Sequence, residues 1–231
     1  MDTRINLNGL IIINKPAGWT SFDVVAKARG MLRAKKVGHA GTLDPMATGV
    51  LVLCIGKATK EVSKIMGTQK EYIGEITLGA TSNTDDADGV ILCRPERALA
   101  SEGPPPSLHD IQTALPSFTG TYEQMPPQFS AKKVEGKRAY ALARAGKTAD
   151  LKTSTVTVHN LELLDYAWPI VKIRVVCEKG FYMRSLARDL GAKLAVGGYL
   201  SSLVRTRVGK YSIGQAIDIQ QVDQYHILPV T

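Results

Sequence analysis

The run Gly38-His39-Ala40-Gly41-Thr42-Leu43-Asp44-Pro45-Met46-Ala47-Thr48-Gly49, followed at once by Val50-Leu51-Val52-Leu53-Cys54-Ile55, constrains this chain more than any other stretch. A short apolar run bounded by glycines reads as a buried strand, so the residues ahead of it form a tight turn against rigid structure. Pro45 fixes its own φ and pushes Asp44 toward an extended conformation. Gly41 and Gly49 let the backbone bend sharply or lie close to a ligand. A carboxylate held in such a turn costs stability unless it is paired or solvated. Asp44 is therefore a candidate for chemistry.

The rest of the chain mixes strands and helices without a regular βαβ rhythm. Leu10–Ile13 reads as a strand, and Thr20 or Ser21 caps a helix through about Leu32 with Val24, Ala28, Met31 and Leu32 on one face. Ala58–Met66 reads as helical. In Tyr72–Leu78, Tyr72, Gly74, Ile76 and Leu78 alternate with Ile73, Glu75 and Thr77, as in a half-buried strand. Asn83–Gly89 is an acidic polar turn that lacks the spacing and terminal Glu of a calcium loop, so no metal is expected. Glu102–Pro106 is a stiff connector, and Ser107 caps a helix that Pro116 ends. Residues 121–152 read as a basic insertion with a helical stretch around Ala139–Ala145. Thr153–His159 and Val171–Cys177 read as strands, and Arg184–Ala195 as a helix. The class expected is α+β, with a mixed, mainly antiparallel sheet flanked by helices.

The chain's 231 residues suit one large domain or two small ones. No apolar stretch is long enough to span a membrane, no signal-peptide pattern opens the chain, and three scattered cysteines form neither a disulfide framework nor a zinc signature. A reducing cytoplasm is the default. The net charge of +8 is unevenly spread: Lys/Arg outnumber Asp/Glu nine to three over residues 1–60, seven to two over 132–152 and nine to two over 172–210, whereas residues 61–131 are acidic, four to ten. Three basic blocks around an acidic one predict a positive face for a polyanion, nucleic acid first.

Four segments occur in a fixed order: Ile13-Asn14-Lys15-Pro16-x-Gly18-x-Thr20-Ser21, the Gly38–Gly49 run, Lys70-x-Tyr72, and Gly180-x-Tyr182-x-Arg184. In this the chain resembles the bacterial TruB-type tRNA pseudouridine synthases, which isomerise uridine 55 of the T loop, and the resemblance spans roughly Leu10 to Tyr211. It implies one catalytic domain over residues 1–231 with a curved sheet, a cleft across its middle and an RNA-clamping insertion. The substrate would be the T stem-loop of tRNA, and a monomer is expected. Making pseudouridine breaks the C1′–N1 bond, rotates uracil and joins C1′ to C5. The change is redox-neutral and releases nothing, so no cofactor is implied. Relatives usually carry a small PUA-type domain beyond the catalytic one. This chain ends about twenty residues after Tyr211, so that domain is expected to be absent.

The resemblance also implies roles. Asp44 matches the catalytic aspartate, nucleophile or base, and must be ionised in either role. Arg184 matches the arginine that pairs with it, lowering its pKa and holding its orientation. Tyr72 matches the tyrosine that stacks on the flipped uracil and serves proton transfer at C5. His39 matches a histidine that fills the gap left by the extruded base. Leu203 walls the pocket and Tyr182 borders it. Asp86 aligns with an aspartate contacting RNA, although Ser82-Asn83 replace the usual Thr-Asp. Lys132, Lys133, Lys137 and Arg138 fit phosphate contacts. Lys15 either meets phosphate or organises the N-terminal turn, and the second reading is preferred.

Two other readings compete. A phosphoryl-accepting Asp44 would need magnesium ligands and a second acid, and no acidic residue stands near it in the loop. A non-enzymatic RNA-binding module would explain the basic blocks, but not a carboxylate placed amid positive charge.

Overall fold

The computed structural model describes residues 6–93, 104–130, 132–134 and 136–230. Its strands are β1 (Gly9–Lys15), β2 (Val37–His39), β3 (Thr48–Ile55), β4 (Lys70–Leu78), β5 (Ala80–Ser82), β6 (Ile91–Cys93) and β7 (Gly120–Gln124), then β8 (Lys133–Val134), β9 (Lys137–Arg138), β10 (Ser154–Ala167), β11 (Ile170–Cys177), β12 (Gly198–Val208), β13 (Tyr211–Ser212) and β14 (Ile217–Asp218). The helices are α1 (Ser21–Leu32), α2 (Val62–Met66), α3 (Leu108–Ala114), α4 (Ala139–Arg144) and α5 (Met183–Lys193). Strands of the largest sheet follow the order β14-β1-β3-β12-β4-β11-β10-β7, with β2 also on β3 and β13 on β12. The β1–β14 and β3–β12 pairs are parallel, whereas β1–β3, β2–β3, β7–β10, β10–β11 and β12–β13 are antiparallel. The chain is thus α+β with a mixed, mainly antiparallel sheet. No helix among the described residues is long and apolar enough to cross a membrane. The chain divides into two compact units, Met1–Ile73 with Leu203–Thr231, and Gly74–Ser202.

In the first unit β3 has no polar face because both its faces are covered, as a continuous apolar run requires. Leu51, Leu53 and Ile55 join Ile11 and Ile13 of β1 and Val24, Ala28 and Leu32 of α1 in one cluster. Val50, Val52 and Cys54 join Leu10, Ile12, Ala58, Ile65 and Val208 in another. The period of two along paired strands sorts the residues between the clusters, and the register Ile12↔Val52, Ile13↔Leu51 holds the sorting in place. Thr20 is the cap of α1, closing a reciprocal capping box with Asp23. Met31 was expected on the inner face but is exposed, because Leu32 closes that face. The stretch expected as one helix over 58–66 is instead a 3₁₀ turn, Gly56–Glu61, followed by a short α2.

In the second unit β11 alternates as half-buried strands do, with Val171, Ile173, Val175 and Cys177 inward. β10 continues to Ala167, well past the expected His159, because it pairs with β11 as far as Ala167↔Ile170. Residues 121–124 lie in β7, paired with β10 at Gln124↔Ser154, so the insertion proper begins after Gln124. The insertion has a small core of its own in Ala139, Ala149 and Leu151, with Leu142 against it. Helix α5 buries Met183, Leu186, Ala187 and Leu190. It approaches the start of β12 so closely that a Cβ at Gly191 would stand 2.2 Å from Gly197 C. We expect Leu53→Ala, which empties a volume sealed on both sides, to lower stability by about 2–5 kcal/mol in urea denaturation.

Candidate active site

In the first unit the Asp44 loop links β2 to β3 and is held from several directions. Ala40 donates to Val52 O at 2.9 Å where the loop leaves β2. The buried Ser21 hydroxyl accepts from Leu43 N at 2.9 Å and donates to Leu43 O at 3.2 Å, which pins the residue just before Asp44 to the first turn of α1. Ala47 N donates to Asp44 O at 3.1 Å, closing a turn around Pro45. Asp44 itself is half-buried.

Two buried cations complete the grip. Lys15, the last residue of β1, is fully buried, and its three ammonium protons go to Pro16 O at 2.9 Å, Trp19 O at 2.6 Å and Pro45 O at 3.1 Å. It organises the turn, as preferred from the sequence. Arg205 of β12 is 1% exposed and donates from Nε to Val50 O at 2.8 Å, from Nη1 to Thr42 O at 3.3 Å and from Nη2 to Gly41 O at 3.0 Å. Both cations stand in register opposite Gly49, Lys15 on one side and Arg205 on the other. Gly49 has φ +96°, and a Cβ there would lie 2.3 Å from Arg205 O, so only glycine fits between them.

The neighbouring strands of this unit carry further candidate residues. Leu203 precedes the Val204↔Thr48 pair, is buried, and its carbonyl accepts from Thr48 Oγ1 at 3.5 Å. Tyr72 is half-buried on β4. Its neighbour Glu71 is tied to β12 by the Thr206 hydroxyl at 2.8 Å and Arg207 Nη2 at 3.3 Å. His39 lies edge-on to Phe22, with ring centroids 5.4 Å apart. Burial, helped by the nearby Arg205, lowers its pKa against a smaller opposing pull from the Gly41 backbone. The ring is therefore neutral at pH 7 and offers an uncharged face.

In the second unit Arg184, at the start of α5, is 5% exposed. Its Nη1 donates to Thr84 O at 3.2 Å and its Nη2 to Phe129 O at 3.0 Å, while Nε lies 3.5 Å from Asp86 Oδ2. Asp86, expected to contact RNA, is 4% exposed, and its Oδ1 accepts from Thr84 Oγ1 at 2.5 Å and Asp88 N at 3.1 Å. The departing Ser82 and Asn83 build the same turn, through the Ser82–Thr84 hydroxyl contact at 3.1 Å and the Val90 N–H bond to Asn83 Oδ1 at 2.9 Å. Tyr182 is half-buried, and its backbone N–H and C=O are both held by the Gln124 amide, at 2.9 and 3.2 Å. Lys132 donates to Ser154 Oγ. The side chains of Lys133, Lys137 and Arg138 lie outside the described residues.

Arg205 is a structural element that no motif in the sequence singles out. Its signal was the strand period: Arg205 follows Leu203 by two and so faces inward with it.

The family model described as TruB family pseudouridylate synthase (N terminal domain) matches residues 29–183, and the one described as tRNA pseudouridylate synthase B C-terminal domain matches 184–228. The chain is 47% identical to the tRNA pseudouridine synthase B of Thermobifida fusca, covering 96% of this chain and 77% of that protein. With the tRNA pseudouridine synthase B of Parabacteroides distasonis it is 44% identical, covering 94% and 92%. Among solved structures, a Cbf5-Nop10-Gar1 complex matches with TM-score 0.73 at 29% identity, over 96% of this chain and 60% of that one. An H/ACA RNP bound to a substrate RNA containing 2′-deoxyuridine matches with TM-score 0.67 at 27% identity, over 92% and 51%.

Replacing Arg205 by Met keeps most of its volume but leaves three loop and strand carbonyls without their donor. Only the Val50 carbonyl is fully buried, the other two being within reach of water, so at about 1–3 kcal/mol for a buried group left unpaired the variant should lose about 1–3 kcal/mol in urea denaturation.

Proposed function

We infer the activity of this chain from its family: it belongs to the TruB pseudouridylate synthases, and we propose that its substrate is uridine 55 in the T loop of tRNA. The observation that carries this reading is the Asp44 loop, a carboxylate-bearing turn fastened by Lys15 and Arg205, in a chain 47% identical to a tRNA pseudouridine synthase B. A hydrolase or kinase would also use a carboxylate. An isomerase of this kind needs just one, held still while the base turns.

The target uridine first leaves its stack, at a cost of a few kcal/mol. His39, kept neutral by burial, fills the space it vacates. Uracil lies against Tyr72, with Leu203 and Tyr182 bounding the pocket. Asp44, ionised, acts as nucleophile or base while C1′–N1 breaks; uracil rotates, C1′–C5 forms, the proton leaves C5 and N1 gains one. Tyr72 serves the C5 proton transfer. Arg184 is the arginine that pairs with the Asp44 carboxylate and holds its orientation. Its rigid support by two carbonyls and Asp86 suits a group whose direction matters, so Asp86 acts through Arg184. Lys132, Lys133, Lys137 and Arg138 meet phosphates of the T stem. The reaction is redox-neutral and calls for no cofactor.

Incubation with an unmodified T stem-loop should yield pseudouridine with the wild-type protein and none with Asp44→Ala or Asp44→Asn, while binding stays within a few fold. Loss of binding in step with activity would remove Asp44 from the chemistry. Arg184→Lys should lose most of the activity in the same assay, because an ammonium cannot engage two carbonyls and a carboxylate as a planar fork does.

A further inference from the structure

One helical turn beyond Arg184, Arg188 joins the same two segments a second time. Arg184 connects the acidic turn, through Thr84 O and Asp86, to Phe129 O at the root of the insertion. Arg188 Nη1 lies 3.0 Å from Asp85 Oδ2 on that turn, and Nη2 donates to Met125 O of the insertion root at 2.8 Å. Its Nε is taken by Asp189 at 2.9 Å. Residues four apart on a helix share a face, so the two arginines form parallel bridges.

The anchors of the second bridge are themselves fixed. Asp85 adopts the left-handed φ of +62°, donates from its N–H to Ser82 O at 3.1 Å and accepts at its carbonyl from Leu200 N at 3.0 Å. Met125 O also accepts from Ser185 Oγ at 2.8 Å. Burial pushes the Asp85 carboxyl up, while Arg188 and then Arg184 draw it down, so one carboxylate senses both guanidinium groups. Arg188 commits Nε, Nη1 and Nη2 to acceptors of the protein itself, which is a poor arrangement for gripping phosphate.

We propose that Arg188 is a positioning residue for the reaction: by tying Asp85 to the Met125 carbonyl, it fixes the two segments whose acceptors hold the Arg184 guanidinium. The acceptors of Arg184 belong to separate segments, so the fork satisfies them only while those segments keep their spacing. Arg188 sets that spacing and thereby the aim of Arg184, leaving RNA affinity to other residues. This rests on the reading of the chain as a pseudouridine synthase that uses Arg184.

The test is single-turnover pseudouridine formation at saturating T stem-loop, alongside equilibrium binding of the same RNA, for Arg188→Met, Arg184→Lys and the double variant. We expect Arg188→Met to slow the chemical step about tenfold with binding within about threefold, and to add less than about twofold to the loss in Arg184→Lys, since residues acting through one another are not additive. A rate unchanged within twofold, a loss carried by binding, or full additivity with Arg184→Lys each overturns the proposal. Asp85→Asn, which removes the carboxylate anchor and leaves the Met125 contact, should give a smaller loss with the same split, and it decides the matter if Arg188→Met folds poorly. A wild-type protein that forms no pseudouridine overturns the functional reading and this proposal with it; an active wild type with an unaffected variant overturns the proposal alone.

Discussion

The Asp44 loop depends on how Gly49 is flanked. Gly49 is the second residue of β3, and its partners in register are Lys15 on β1 and Arg205 on β12. Those two side chains turn back from the strands and donate to the carbonyls of Gly41, Thr42 and Pro45. An irregular loop pressed against a core would otherwise hold unsatisfied carbonyls. Taking two cations out of water costs several kcal/mol each, and a full set of charge-assisted hydrogen bonds offsets it. The outcome is a loop as fixed as a strand that still carries a half-buried carboxylate. Side-chain cations do here what a regular hydrogen-bond ladder does elsewhere.

Much of this was legible in the sequence, for reasons that differ by residue. The apolar run 50–55 announced a strand buried on both faces, and its two clusters follow from a period of two. The capping residues Thr20 and Ser107 were legible because a cap is a local interaction of three or four residues. Strand β12 was harder: Leu203 is picked out by the family resemblance, but the strand's place between β3 and β4 is a long-range fact. For the same reason the partners of Arg184 were out of reach. Thr84 and Phe129 lie 100 and 55 residues away in sequence. A motif identifies a residue type at a position but is silent on which carbonyls receive its protons.

Asp86 illustrates the difference between a residue that matters and one that touches substrate. An aspartate in a polar, glycine-ended turn reads as exposed, yet its carboxylate is buried against Thr84, Asp88 and Arg184. The turn curls inward because Asp85 takes a left-handed conformation, which an aspartate tolerates better than most residues. Asp85 and Asp86 then face successive arginines of α5, so the acidic turn serves as a seat for guanidinium groups.

That use of charge changes how the basic blocks are to be read. Of the nine cations counted over residues 172–210, Lys172 pairs with Glu75, Arg174 with Glu162, Arg207 with Glu71 and Arg188 with Asp85, while Arg184 and Arg205 are buried. The block is basic in sequence, but six of its nine cations are paired with a carboxylate or buried, Lys172 and Arg174 in exposed surface pairs. The buried ones, Arg184 and Arg205, carry no counterions to release. The stretch from α1 into β2 is different: Lys27, Arg29, Arg33, Lys35 and Lys36 are all exposed on a single short segment. Net charge alone therefore does not locate the nucleic-acid face. Burial separates cations that bind carbonyls from cations that meet solvent, and on that criterion the N-terminal block presents more solvent-facing cations than the more densely basic block near Arg184, where Lys179, Lys193 and Lys210 are the exposed ones.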